Sequence, residues 1–420
     1  MAERIELLRT LMRAKGWDAV VVTGSDPHCS EYPAERWKQV EWLSGFTGEA
    51  GDLVVTLDHA GLWTDPRYFI QAEQQLAGTG IDLHKTRVPD QVLIPEWLER
   101  QFGADGLIAV DGLCMGADFA QSLPGTVISV PDLLGPFWPE RPAIPQTPVF
   151  TVNPGESRRE KLDWLRAFLR GRECDGILLT ALDEIAWLLN VRDSDIEYNP
   201  LVISYLLVTQ DDVCWYVLKD EVEDPESKAT FSILESEGVR LLPYADIDYL
   251  PSELHGRLFV DAATLNYQLY ANLITAGVPL EEGTSPIRLR KAVKNATEVA
   301  GMRDVHVQDG LAMERSCTGW SVRWTQDGRS RNGTPPSSWA SSAPTCRDTA
   351  ATVSRPFPPG DPAPRCRITS RPTRTLRSSA RAACTCATRA GSTTAARPTS
   401  PAQFRSDGSA RWSAKTIRWC

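Results

Sequence analysis

Ile5, Leu8, Leu11 and Met12 recur at helical spacing through the first fifteen residues, and Gly16 follows as a stop. Ala19–Thr23 (AVVVT) is apolar almost throughout, the pattern of a buried strand. Residues 53–56 (LVVT) and 62–64 (LWT) flank a polar turn at Asp58–Gly61 and predict a hairpin. Arg67–Ala77 predicts a helix closed by Gly78. Strand, helix and strand follow over Ile81–His84, Val92–Gln101 and Leu107–Val110. The proline-rich stretch 136–154 predicts a linker.

The opening pattern then returns. A shift of 157 places Ile5, Leu8, Leu11 and Met12 on Leu162, Leu165, Phe168 and Leu169. The same shift places Asp18–Thr23 (DAVVVT) on Asp175–Thr180 (DGILLT). Trp42-Leu43 and Trp187-Leu188 each follow later, after a polar stretch. Two tandem α/β domains are expected, each a mixed sheet covered by helices. From Ser285 the text becomes helical again through Arg315, like the start of a third domain.

Composition changes this picture at one place. Residues 316–420 hold 16 Arg and one Lys against four Asp and no Glu, a net charge of +13. The whole chain carries −9, so residues 1–315 carry −22. All five His precede residue 316, and six of the ten Cys follow it. The tail has no sustained period of 3.6 or 2 and almost no Ile or Leu, and it is expected to be disordered. An Arg-rich nucleic-acid-binding tail is one alternative, but the lopsided Arg-to-Lys ratio and the acidic body argue against nucleic acid. A zinc module is another, but Cys384 and Cys386 have the wrong spacing and no His accompanies them. Out-of-frame translation of GC-rich DNA accounts for the Arg, Ala, Pro, Ser and Thr excess without further assumption.

The charged, amphipathic first residues predict no secretory leader, and no apolar run approaches the roughly 20 residues of a membrane span. The scattered Cys29, Cys114, Cys174 and Cys214 suit a reducing cytoplasm. No membrane partner is expected.

Several segments resemble the Xaa-Pro aminopeptidases (aminopeptidase P) of the long three-domain type, with creatinase-like N-terminal domains. They are Asp26–Tyr32 (DPHCSEY), Trp42–Gly48 (WLSGFTG), Leu62–Phe69 (LWTDPRYF) with Gln71-Ala72, Leu182–Asn190 (LDEIAWLLN) and Asp195–Pro200 (DIEYNP). Lys294-Asn295 and Asp309-Gly310 also fit. The resemblance covers residues 1–315 and implies four parts: a creatinase-like domain I over 1–145, a creatinase-like domain II over 146–284, the first helices of a truncated "pita-bread" catalytic domain over 285–315, and the out-of-frame tail over 316–420. It implies a hydrolase that removes the residue before proline from proline-containing peptides, and a homodimer. It further implies two manganese or similar divalent ions held by two Asp, one His and two Glu, with a second, catalytic His.

Those ligands would lie beyond the break. Residues 315–320 (RSCTGW) can be written CGT TCC TGT ACT GGC TGG, which one base out of phase reads Phe-Leu-Tyr-Trp-Leu and continues the helix. Under the same shift the position of Ile368 can encode the catalytic His, Thr388 the first metal Asp and Thr399 the second. Their separations, 20 and 11 residues, are those of the resembled family. As written, none of the three is a strong metal ligand. The sequence therefore predicts no catalytic residue, no metal ligand and no cofactor in this chain, leaving a non-catalytic binding or dimerisation fragment.

Arg67 is the one substrate-binding candidate that the resemblance supplies; alternatively it pairs with Asp65 and fixes a turn. Asp65 and Trp63 are expected to shape the hairpin. His28 is expected to hydrogen-bond within its loop rather than join Cys29 and Glu31 as a ligand, and His306 is expected to be structural. Asp183 and Glu184 read as the N-terminal acids of a helix rather than as a catalytic pair. Gly45–Gly48 is too short for a phosphate loop, and no Ser-His-Asp arrangement can be argued.

Overall fold

The structure, a computed structural model, describes residues 1–218, 224–254 and 256–327, with side chains to residue 315. Two compact units divide it. The first comprises residues 1–151, 158–196 and 201–293; the second takes in 152–157, 197–200 and the chain from Lys294.

The first unit holds two successive domains. Domain I runs α1 (Ala2–Lys15), β1 (Ala19–Val22), α2 (Gln39–Ser44), β2 (Gly51–Thr56), β3 (Ala60–Thr64), α3 (Phe69–Gln75), β4 (Asp82–Lys85), α4 (Ile94–Phe102), β5 (Leu107–Val110), α5 (Ala117–Ser122) and β6 (Thr126–Ser129). Helix α1 ends where expected: Gly16 takes the left-handed conformation at φ 73° and its N–H returns to Met12 O. The strands form one sheet in the order β4-β3-β2-β1-β5-β6. Val20 and Val22 face one hydrophobic cluster and Ala19 and Val21 another, so both faces of β1 are covered. That is why its sequence does not alternate.

After β7 (Phe150–Thr151), domain II runs α6 (Arg158–Gly171), β8 (Gly176–Leu179), α7 (Leu182–Leu189), β9 (Val191–Arg192), β10 (Ser204–Thr209), β11 (Val213–Val217), α8 (Pro225–Ser236), β12 (Val239–Pro243), α9 (Leu250–Glu253), β13 (Leu258–Val260), α10 (Tyr267–Thr275), β14 (Leu280–Glu282) and α11 (Pro286–Ala292). Its main sheet has the order β12-β11-β10-β8-β13-β14. Each neighbouring pair is parallel or antiparallel as in domain I. The two sheets thus share one topology, with β8 standing where β1 stands. The shift of 157 in the sequence carries one strand onto the other.

The proline-rich stretch is more than a tether. Thr147 donates from its N–H and its hydroxyl to Asp195 Oδ1, at 2.8 and 2.9 Å. Val149 N–H donates to Ser227 Oγ, and β7 pairs with β9.

In the second unit the described chain is dominated by α12 (Ala296–Asp327). A capping box starts it: Glu298 N–H donates to Asn295 Oδ1 and Asn295 N–H to Glu298 Oε2, both at 2.9 Å. The helix continues through Ser316–Asp327, where coil was expected from Ser316. Elongating an established helix adds a hydrogen bond for each residue fixed, and proline first appears at Pro335. The remaining tail, with Ile368, Thr388 and Thr399, lies outside the described residues.

Candidate functional site: an arginine clamp and a buried seam

The clamp follows β3. Asp65, 7% exposed at its side chain, accepts Arg67 N–H at 3.0 Å and the guanidinium twice more, Nε at 3.0 Å and Nη2 at 2.7 Å. The bond from Arg67 holds the Asp65 carboxyl below the usual carboxylate range, and the same bond raises Arg67 further. Tyr68 lies under the guanidinium at 5.2 Å, and its hydroxyl donates to Glu49 at 3.0 Å. Asp65 therefore fixes the turn, as the second reading of Arg67 required. The Arg67 side chain is nevertheless 48% exposed, so the pairing leaves part of a pre-oriented cation facing solvent. Trp63 ties β3 to the segment before α4 through Nε1–H to Val92 O, 2.9 Å.

A second polar cluster joins domain I to domain II, both inside the first unit. His28 is 1% exposed, with Nδ1 3.1 Å from Thr180 O and Nε2 2.9 Å from Tyr244 OH. A carbonyl can only accept, so Nδ1 carries the proton and Nε2 accepts from the tyrosine. Burial pushes the His28 pKa down to about 3. Asp26 holds the loop: Oδ1 accepts from His28 N–H and Ser30 N–H, both at 2.9 Å. Asn266 Nδ2 donates to Pro27 O at 2.9 Å while its Oδ1 caps α10 through Leu269 N–H. Around this cluster the main chains exchange reciprocal bonds. Ala117 N–H reaches Leu265 O and Tyr267 N–H reaches Met115 O; Asp118 N–H reaches Ala262 O and Gln268 N–H reaches Gly112 O. In each exchange the equivalent positions differ by 150 (Met115 and Leu265, Ala117 and Tyr267; Gly112 and Ala262, Asp118 and Gln268), the signature of a local twofold relation. His28 is thus structural, as expected, but its partners come from the other domain.

Asp183 and Glu184 are first-turn acids of α7, as read. Glu184 turns inward, 4% exposed, and accepts from Ser285 Oγ at the start of α11. Burial lifts its pKa to about 7. Its neighbour Asp183 pairs with Lys291 of α11. These acids clasp α7 to α11. A buried acid with a raised pKa costs stability as pH climbs from about 4.5 through about 7, because the unfolded chain has already lost that proton. Glu184→Gln should therefore gain roughly 1–2 kcal/mol relative to the parent at pH 8 while matching it near pH 5. Urea titrations at both pH values measure this.

His306 Nδ1 lies 2.7 Å from Met302 O within α12, the structural role anticipated for it. Gly45 takes the left-handed conformation that ends α2. Among the described residues no group of three or more His, Cys, Asp or Glu is placed to hold a metal ion. No helix among them is long and apolar enough to cross a membrane.

Comparison with known proteins places this architecture. Residues 4–133 and 140–298 each match a family model described as creatinase/prolidase N-terminal domain. Aminopeptidase P1 of Arabidopsis thaliana is 34% identical over 355 residues, covering 74% of this chain and 54% of that protein. Xaa-Pro aminopeptidase 1 of Dictyostelium discoideum is 32% identical over 335 residues, covering 74% and 52%. The solved X-prolyl aminopeptidase of Caenorhabditis elegans, described as a cytosolic enzyme with a di-nuclear active site, superposes with a TM-score of 0.70 at 29% identity, over 78% of this chain and 57% of that one. The fold is therefore a tandem pair of creatinase/prolidase N-terminal domains. The chain belongs to the aminopeptidase P family, and it spans about half the length of the curated relatives it matches.

Proposed function

We propose that this chain carries the two N-terminal domains of an Xaa-Pro aminopeptidase whose catalytic half has been replaced by out-of-frame text, and that as written it is catalytically silent. The observation that carries the reading is the coincidence of spacing. One shifted frame permits the catalytic His at the position of Ile368 and metal Asp residues at those of Thr388 and Thr399. A resident pair of hard divalent ions needs carboxylate and imidazole donors there. An isoleucine and two threonines do not fit it.

The parts that remain would serve binding. Arg67, oriented by Asp65, offers the free side of a guanidinium, which suits a carboxylate or carbonyl of a peptide substrate. In a chain with its frame restored, Arg67→Ala should raise KM for an Xaa-Pro peptide about tenfold or more, the worth of one charge-assisted hydrogen bond, and leave kcat within about twofold. Steady-state kinetics separate the two effects; an unchanged KM removes Arg67 from substrate binding. Cytoplasmic residence and a homodimer belong to the same proposal, supported by the description of the C. elegans relative for the first and by the family resemblance alone for the second.

The test of silence is direct. The purified chain, supplied with Mn²⁺ and an Xaa-Pro peptide, should release no N-terminal residue above background. Proline-linked hydrolysis that survives removal of contaminating peptidase would overturn the reading.

A further inference from the structure

A pair of histidines at one edge of the domain I sheet has no part in the clamp or the seam. His59 lies in the turn before β3 and His84 on β4, the edge strand. Their Nε2 atoms approach to 3.3 Å, with the rings nearly perpendicular at 84°. Two imidazole nitrogens bound to one tetrahedral zinc at about 2.0–2.1 Å stand about 3.3 Å apart.

Three surrounding features favour an ion there. Trp63 stacks on His84 at 3.8 Å and 5°, and Trp97 lies 4.9 Å from His59, so both rings are held. Asp82 Oδ2 lies 3.5 Å from His59 Nδ1, the position from which a carboxylate orients a ligating imidazole. Gly61, paired with Asp82 across the strands, leaves open the space the rings converge on. A Cβ at residue 61 would come within 2.7 Å of His84 Nε2 and 2.8 Å of His59 Nε2. The His59 side chain is 24% exposed, which leaves room for water to complete a coordination sphere.

We propose that His59 and His84 form a two-imidazole site for a divalent transition ion of the zinc class, with Asp82 as outer partner of His59. Imidazole donors suit zinc, copper, nickel and cobalt rather than magnesium or calcium. An ion bound there clips the β2–β3 turn to the sheet edge. The site is independent of the peptidase reading, since neither histidine contacts Arg67 or the seam.

Zinc also binds thiols, so the readout has to be histidine itself. The full chain, labelled at histidine Cε1 with ¹³C, is titrated with ZnCl₂ and followed by NMR. The signals of His59 and His84 should move together with one midpoint, while that of buried His28 stays put and reports an intact fold. In His84→Gln the His59 response should vanish. Asp82→Asn should weaken the midpoint about tenfold. Gly61→Ala, which keeps both imidazoles but forces them apart, should abolish the joint response. Zinc in large excess that moves neither signal overturns the proposal. So does a His59 response of equal size and midpoint in His84→Gln, which would mean a lone surface imidazole meeting the ion.

Discussion

Restoring one base near codon 315 is expected to turn a chain without measurable Xaa-Pro hydrolysis into a metal-dependent aminopeptidase. The reason lies in which atoms can carry the reaction. Peptide hydrolysis by a two-metal site needs anionic and imidazole ligands to hold the ions, and the ions share the charge that develops on the attacked carbonyl. Arginine, serine and alanine supply no such ligands at neutral pH. Enzymes lower barriers by about 8 kcal/mol or more, so the contrast should be at least about 10⁴-fold in kcat/KM rather than a graded loss. Parallel assays of the two chains with and without Mn²⁺ measure it. Equal activity in both would show that the groups doing the chemistry lie before the break.

His28→Ala should cost about 3–5 kcal/mol of unfolding free energy at pH 8. The substitution leaves Thr180 O and Tyr244 OH buried without their partner and opens a cavity where the ring met Tyr205 at 4.5 Å. The same residue sets a pH dependence whose sign follows from its depressed pKa. The unfolded chain takes up the proton near pH 6.5 and the folded chain only near about 3, so this stability is complete above 6.5 and is lost as pH falls. Between pH 8 and pH 5 the loss from His28 alone is about 2 kcal/mol. Glu184 acts in the opposite sense over much of that window, so the parent chain should look flatter than either group alone. His28→Gln, which keeps hydrogen-bonding capacity without titrating, should remove the acid loss. An unchanged pH slope in His28→Gln would show that the ring is not held neutral by burial. Chemical denaturation across pH 5–8 gives both numbers.

What could be read from the sequence was local. The helix over residues 2–15, the strand at 19–22 and their return near 158–179 are set by period, apolar runs and a glycine stop, and nothing distant alters them. The return was enough to anticipate two like domains. It could not show how they meet, because the seam joins residues that sequence separates widely: His28 with Tyr244, and Pro27 with Asn266. Glu184 is the helix-start acid its position predicts, but its partner could not be read for a related reason. Acids in a first helical turn usually face water, and only the later Ser285 explains why this one is drawn inside. The Asn295–Glu298 capping box, in contrast, is local, an Asn-x-x-Glu spacing at the start of a helical run. The pairing of Arg67 with Asp65 was legible too, since two residues on one turn are almost obliged to meet. Its remaining exposure was not.

Reading the coding DNA from codon 315 in all three frames tests the central point most directly. A shifted frame should continue as an apolar, acidic sequence with His at position 368, Asp at 388 and 399, and Glu further on. Stop codons soon after 315 in both alternative frames, or His and Asp codons missing from those three positions, would mean that the arginine-rich tail is the protein's own.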